Sequence, residues 1–305
     1  METKKKYELL GESAVMHRLR EIVEKAAQSD AKVLITGESG TGKEVVARIL
    51  HNRSPRAGKP FVAFNCANAT TKELVPGLLF GHERGAFTGA VEKTDGIFGE
   101  GNGGTVFLDE IGELPKEVQG VLLRVLGNGT RQRVGGSEEI PCDVRLVAAT
   151  NRNLASMVCD GTFRRDLYQR INVVRIVTPP LREHKEDIPE IASTWMAHHS
   201  IGRTLTEDQI AALMKYDYVD GNVRELINLI DRALALDITD FEAMIAEHIE
   251  INALPIDENR SDNLDVVIRA HVEKVVDKCG GNATQAAIRL GICRNTLRTY
   301  LKPRK

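Results

Sequence analysis

Residues 37–44 read Gly-Glu-Ser-Gly-Thr-Gly-Lys-Glu and lie between a short apolar run, Lys32–Thr36, and a stretch of helical period, Glu44–His51. No other segment restricts the fold as tightly. A loop with three glycines can curl so that its backbone N–H groups converge on an anion. The N-terminus of the following helix adds the positive end of its dipole. Lys43 adds a point charge suited to the β- and γ-phosphates of a nucleotide. Because strand, loop and helix occur in that order, Gly37, Glu38, Ser39, Gly40, Thr41, Gly42, Lys43 and Glu44 are assigned to a nucleotide rather than to a plain glycine-rich turn. Glu44 stands where such loops usually carry a magnesium-ligating Ser or Thr.

A second segment completes the chemistry. Thr105–Leu108 is apolar and leads directly into Asp109 and Glu110. Both carboxylates then stand at the C-terminal edge of a strand. Asp109 can hold Mg2+, directly or through water, and Glu110 can polarise an attacking water as general base. A third strand ends in Ala149-Thr150-Asn151. Asn151 there is either a sensor of the γ-phosphate or part of an exposed turn.

The wider pattern agrees with such a site. Apolar runs at Lys32–Thr36, Phe61–Asn65, Thr105–Leu108, Arg145–Thr150 and Val173–Val177 alternate with helical stretches. That alternation predicts an α/β fold, a parallel sheet covered by helices on both faces. After Pro179-Pro180 the period becomes helical. Thr206 is expected to cap one helix, and Asn222–Leu236 to form another. The expected organisation is an α/β domain over 9–180, a helical lid over 181–250, a linker over 251–263 and three helices over 264–305. Five scattered cysteines without a CxxC pair predict free thiols in a reducing, cytoplasmic setting. No apolar run approaches the roughly 20 residues that cross a bilayer, so no membrane insertion is expected.

The sequence resembles the sigma-54-dependent activators, or bacterial enhancer-binding proteins, of the AAA+ superfamily. The stretch that carries the resemblance is Phe80-Gly-His-Glu-Arg-Gly-Ala-Phe-Thr-Gly-Ala90. Its last six residues, Gly85, Ala86, Phe87, Thr88, Gly89 and Ala90, are the family's hallmark loop. In that family the loop contacts sigma-54 and moves with the nucleotide state, with Phe87 and Thr88 making the contact. One exposed Phe between small residues would also give a loop an adhesive tip. The resemblance implies further roles. Asn65 restrains the catalytic Glu until the loop is engaged. Arg133-Val-Gly-Gly136 belongs to a second moving loop. Arg164 and Arg170 are arginine fingers that reach a neighbour's ATP, which implies a homo-oligomer, a hexameric ring. Outside the family, the same arginines read as surface ion pairs with Asp166. Arg224, in Gly221-Asn-Val-Arg, touches the ATP of its own subunit. The chain departs from the family at Pro76-Gly77-Leu78 and Val219-Asp220, which bears on loop mechanics and ring strength.

The end of the chain reads differently. After Asp277 no acidic residue follows, while Arg289, Arg294, Arg298, Lys302, Arg304 and Lys305 are basic. The net charge of the whole chain is only −2. Helical spacing over Leu264–Lys278, a second helix to Leu290, a turn at Gly291 and a third helix over Cys293–Leu301 predict a helix-turn-helix, and the local basic excess directs it to double-stranded DNA, enhancer-like sites in this family, with Arg294, Asn295, Thr296, Arg298 and Lys302 as contacts. The segment also resembles the Fis-type domain. With about nine residues ahead of the ATPase domain, the expected layout is that of the phage-shock type of activator, with control exerted by a regulatory protein partner. Two other classes fit parts of the pattern: an AAA+ machine with another client, and a DNA-binding regulator with a decayed ATPase domain. The complete hallmark loop argues against the first. Intact Lys43, Asp109, Glu110, Arg164 and Arg170 argue against the second.

Overall fold

Alternate residues of each inner strand enter opposite cores. The computed structural model describes residues 7–68, 74–199 and 203–253, together with Val276, Ala283, Arg289 and Leu297. Seven strands occur among them: β1 (Val33–Thr36), β2 (Phe61–Asn65), β3 (Thr105–Asp109), β4 (Thr130–Arg131), β5 (Ile140–Pro141), β6 (Arg145–Thr150) and β7 (Val174–Val177). Five form a parallel sheet in the order β2-β3-β6-β1-β7, and β4 and β5 pair as a small antiparallel ribbon. Val33, Ile35, Phe107, Val147, Ala149 and Ile176 pack on one side of the sheet with α1 (Ala14–Ala27) and α2 (Lys43–Asn52). Leu34, Val106, Leu108, Leu146 and Ala148 pack on the other. There they meet α3 (Val75–Phe80), α4 (Gly96–Glu100), α5 (Lys116–Asn128), α6 (Leu154–Cys159) and α7 (Arg165–Ile171). A sheet covered on both faces needs near-continuous apolar strands, as these are.

Strand ends differ slightly from the sequence reading. β1 and β7 each begin one residue later, at Val33 and Val174, and β3 runs on to Asp109 because Asn65 of β2 pairs with it. The helix after the loop begins at Lys43 and ends at Asn52. Thr206 caps its helix in full: its hydroxyl accepts from the Gln209 N–H, and the Gln209 carboxamide accepts from the Thr206 N–H in return.

After Pro180 the chain forms a third apolar core of its own. It unites α8 (Ile188–His199), α9 (Glu207–Lys215), α10 (Asn222–Ala235) and the start of α11 (Phe241–Ala253) around Leu213, Tyr218, Leu226 and Ile230. This core and the sheet lie within one compact unit, Met1–Ile245; Ala246–Lys305 form a second. The expected helix-turn-helix contacts Arg294, Asn295, Thr296, Arg298 and Lys302 lie outside the described residues. Of the basic set, Arg289 is described and exposed.

The segment before α1 is tied to the helical core by a buried carboxylate. Asp187 accepts from the Ser13 N–H (2.9 Å), the Ser13 hydroxyl (2.6 Å) and the His184 ring (Nδ1, 3.0 Å). Gly11 is required at the same place, since a side chain there would meet the Asp187 carboxyl at 2.4 Å. Asp187→Ala leaves these donors without an acceptor in a buried site. It is expected to cost about 2–4 kcal/mol, read as a lowered urea midpoint, and a change under about 0.5 kcal/mol would refute this account.

Candidate active site

Parallel register brings five strand ends into one row. Thr36 pairs with Thr150 on one side and Val177 on the other, so the glycine-rich loop emerges between Asn151 and Thr178. Asn65 pairs with Asp109, which ends the neighbouring strand pair. Ligands of open α/β sheets bind at such carboxyl edges.

Within the loop, each glycine has a specific reason. A side chain at Gly37 would meet the Thr178 hydroxyl at 2.0 Å, and one at Gly40 would meet the Gly221 carbonyl at 1.9 Å. Gly40 and Gly42 also have φ of +76° and +88°, a left-handed region that favours glycine. The Thr41 hydroxyl shares a hydrogen bond of 2.7 Å with Thr178. Thr178 has no role in the sequence reading; only its position directly after a strand signals it.

Lys43 is buried, and its ammonium donates to the carbonyls of Gly37 (3.0 Å) and Glu38 (2.9 Å). Burial lowers its pKa, against the opposing pull of Glu110 and Asp109. Glu110 lies 3.8 Å from the Lys43 nitrogen. Its backbone is left-handed at φ +48°, uncommon for a residue with a side chain. Its carboxylate accepts from the Asn151 N–H (3.1 Å) and the Thr150 hydroxyl (3.4 Å). The Asn151 backbone thus touches the expected general base. Asp109 accepts from the Glu110 N–H (3.0 Å), and burial, with Glu110 beside it, raises its pKa. A desolvated carboxyl crowded by a second one fits a cation. Glu44 turns away and pairs with Arg48 at 2.7 Å.

Other expected site residues fall as follows. The Asn65 side chain accepts from the Ala67 N–H (2.9 Å) and, among the described residues, does not bond Glu110. Arg224 donates to the Ser39 hydroxyl at 3.0 Å, so it stands on the glycine-rich loop of its own chain. Arg164 pairs with Asp166 through both oxygens (3.0 and 2.7 Å), and Arg170 donates to the Leu126 carbonyl (2.9 Å). Both arginines are exposed, and neither reaches Lys43 or Glu110 of its own chain among the described residues.

The loop Gly85–Ala90 closes on itself through Gly85 N–H to the Ala90 carbonyl (2.8 Å) and Ala90 N–H to the Phe87 carbonyl (3.0 Å). Thr88 is exposed, whereas Phe87 is half-buried with its ring 4.9 Å from that of His82. The expected exposed aromatic tip is therefore partly covered by its own hairpin. At the loop's base, Asp95 accepts from Arg133 (2.6 Å) and Arg131 (2.8 Å), which hold its carboxyl down at about 2. The Val134 carbonyl accepts from the Glu83 N–H at 3.0 Å. The ribbon carrying Arg133-Val-Gly-Gly136 thus backs the loop. Sequence reasoning missed Asp95 and Arg131, which lie 36 residues apart.

Known proteins agree with this geometry. Residues 9–177 match the sigma-54 interaction domain, and residues 182–262 match the AAA+ ATPase lid domain. The transcriptional regulatory protein ZraR of Salmonella typhimurium is 43% identical over 297 residues, covering 95% of this chain and 67% of that protein. The response regulator PilR of Pseudomonas aeruginosa is 40% identical over 309 residues, covering 96% and 69%. NtrX from Brucella abortus, solved in complex with ATP, superposes with a TM-score of 0.72 at 34% identity, over 96% of this chain and 68% of that one. The chain thus spans about two thirds of the length of these relatives.

Gly40→Ala would drive a methyl group into the Gly221 carbonyl at a backbone angle that disfavours it. It should abolish binding of a fluorescent ATP analogue and lower the melting temperature. Unchanged analogue binding would mean that the loop does not need its contact with Gly221. The matched sigma-54 interaction and lid domains, beside a glycine-rich loop after β1, paired acids two strands away after β3 and a lid arginine on that loop, make this chain a member of the sigma-54-dependent transcriptional activators of the AAA+ superfamily.

Proposed function

We propose that the chain hydrolyses ATP at subunit boundaries of a homo-oligomeric ring, a hexamer, and uses the energy to press the loop Gly85–Ala90 against sigma-54 in RNA polymerase. The observation that carries this reading is the convergence of Lys43, Asp109, Glu110 and Arg224 at one sheet edge, on the chain that also carries the hallmark loop. Lys43 and the N–H groups of the loop bind the phosphates, and Arg224 reports their presence to the lid. Magnesium, held by Asp109 directly or through water, would neutralise charge on the phosphate oxygens. Glu110 orients and deprotonates the attacking water, with Asn151 fixing its carboxylate.

Arg164 bonds Asp166 and Arg170 bonds the Leu126 carbonyl rather than any group of their own site, which favours their use in a neighbour's site. Such fingers are worth about 10³–10⁵ in rate. Residues 264–305 dock double-stranded DNA at enhancer-like sites through Arg294, Asn295, Thr296, Arg298 and Lys302, and a regulatory protein binding the ring sets its activity. No helix among the described residues is long and apolar enough to cross a membrane.

Two substitutions test the reading. Glu110→Gln should bind ATP yet lose about 10²–10⁴-fold in hydrolysis, measured as phosphate release. Thr88→Ala touches an exposed side chain, so ATPase activity should stay within about twofold, while capture of sigma-54 with a transition-state nucleotide analogue should be lost. Normal open-complex formation by the Thr88 variant would overturn the loop assignment.

A further inference from the structure

The lid and the phosphate loop are joined by polar contacts that centre on Glu38 rather than on the phosphate-facing groups. The Arg182 guanidinium donates to both Glu38 oxygens, at 2.8 and 2.6 Å, in the paired geometry that suits Arg and carboxylate. The carboxyl is held down at about 2, chiefly by Arg182 and then by Asn222. Asn222 is fully buried, and its carboxamide is fully used. Its nitrogen donates to Glu38 (3.2 Å) and to the Ser39 carbonyl (3.0 Å), and its oxygen accepts from the Leu181 N–H (2.8 Å). Its backbone is left-handed, at φ +51°, a conformation that asparagine tolerates better than most residues.

These three residues occupy three parts of the machine. Glu38 is in the phosphate loop. Arg182 is in the single turn Leu181–Glu183, directly after Pro179-Pro180, where the sheet hands over to the lid. Asn222 opens α10, two residues before Arg224. An exposed ion pair alone contributes at most about 1 kcal/mol. Here the same carboxylate also receives a buried amide, so Arg182 and Asn222 act on one anchor.

We propose that Arg182 is a positioning residue of the nucleotide site: by clasping Glu38 beside Asn222, it fixes the lid on the phosphate loop and thereby sets Arg224 over Ser39. This rests on reading residues 37–44 as the nucleotide loop. The clasp spans the joint between sheet and lid, so lid rotation and loop conformation change together. Loosening this side-chain clasp displaces Arg224 but removes none of the main-chain carbonyls that hold Lys43 and no partner of Glu110, so nucleotide affinity falls more than turnover at saturation.

The test is a comparison of Arg182→Glu, Arg182→Lys and the parent chain, each also in a Glu38→Gln background. Fluorescent ATP analogue binding is read alongside KM and kcat. Arg182→Glu should weaken analogue binding and raise KM about tenfold, with kcat within about threefold, and Arg182→Lys should recover most of the loss. With Glu38→Gln already present, Arg182→Glu should add less than about twofold, because the anchor's charge is gone. Should Arg182→Glu not fold by circular dichroism, Arg182→Gln carries the same expectation at a smaller size. Equal KM in the parent and Arg182 variants overturns the proposal, as does a loss that persists undiminished beside Glu38→Gln. A parent chain that binds no analogue refutes the nucleotide reading itself, a different failure.

Discussion

A buried ammonium organises this molecule. Lys43 has three hydrogens to place and almost no water to receive them. Two go to the carbonyls of Gly37 and Glu38, so the side chain closes the loop from which it grows. Glu110 stands beyond, at 3.8 Å. The loop's curvature, its glycines and the left-handed backbone at Glu110 are all conditions for bringing that charge and that carboxylate together in a site of low polarity. Parallel register supplies the rest, since it sets the ends of β3, β6 and β1 in one row, where Glu110 after β3 accepts from the Asn151 N–H after β6.

Much of this was legible in the sequence where chemistry demands a residue type at a fixed spacing. The loop before α2 needs Gly and Lys whatever packs around it, and Asp109-Glu110 needs only an apolar strand to aim it. The sheet's double burial was likewise readable from unbroken apolar runs. Other parts depend on residues that meet only in the fold. Gly40 reads as a phosphate-loop glycine, yet its space is taken by the Gly221 carbonyl 181 residues later. Thr178 is buried against Thr41 through a pairing 137 residues apart. Asp95 is anchored by two arginines of the β4 ribbon, and nothing local in the sequence joins them. Phe87 was expected at an exposed tip, but His82 covers part of its ring, because a six-residue loop closed on itself lays its aromatic back on its own stem.

Asn65 illustrates a subtler limit. Its place in the row was correctly set by strand register, opposite Asp109. The partner of its side chain was not, because a carboxamide at a strand end can choose between a neighbouring carboxylate and the next turn's N–H. Here it caps Ala67. Glu110 is instead held from the other side, by Asn151 and Lys43. Sequence spacing places groups within reach of one another; local hydrogen-bond competition decides which of them meet.

The same topology bears on how the site could drive the loop. The chain leaves the sheet at Asn65, directly beside Asp109, and re-enters it at Thr105, the start of the strand that ends in the paired acids. Everything between, including α3, the loop Gly85–Ala90 and α4, is therefore one excursion whose two ends are fixed to the β2–β3 pair. The lid, by contrast, is attached through Pro179-Pro180 on the far side of β1 and reaches the loop of Lys43 by its own polar contacts. On the proposed function, the nucleotide row sits between two outputs with separate attachments. One runs along β2 and β3 to the hallmark loop. The other runs through Glu38 to the lid. Because the loop hangs from β2 and β3 while the lid follows β7, beyond β1, the two outputs share no strand, and what they have in common is the row of groups at the sheet edge between them.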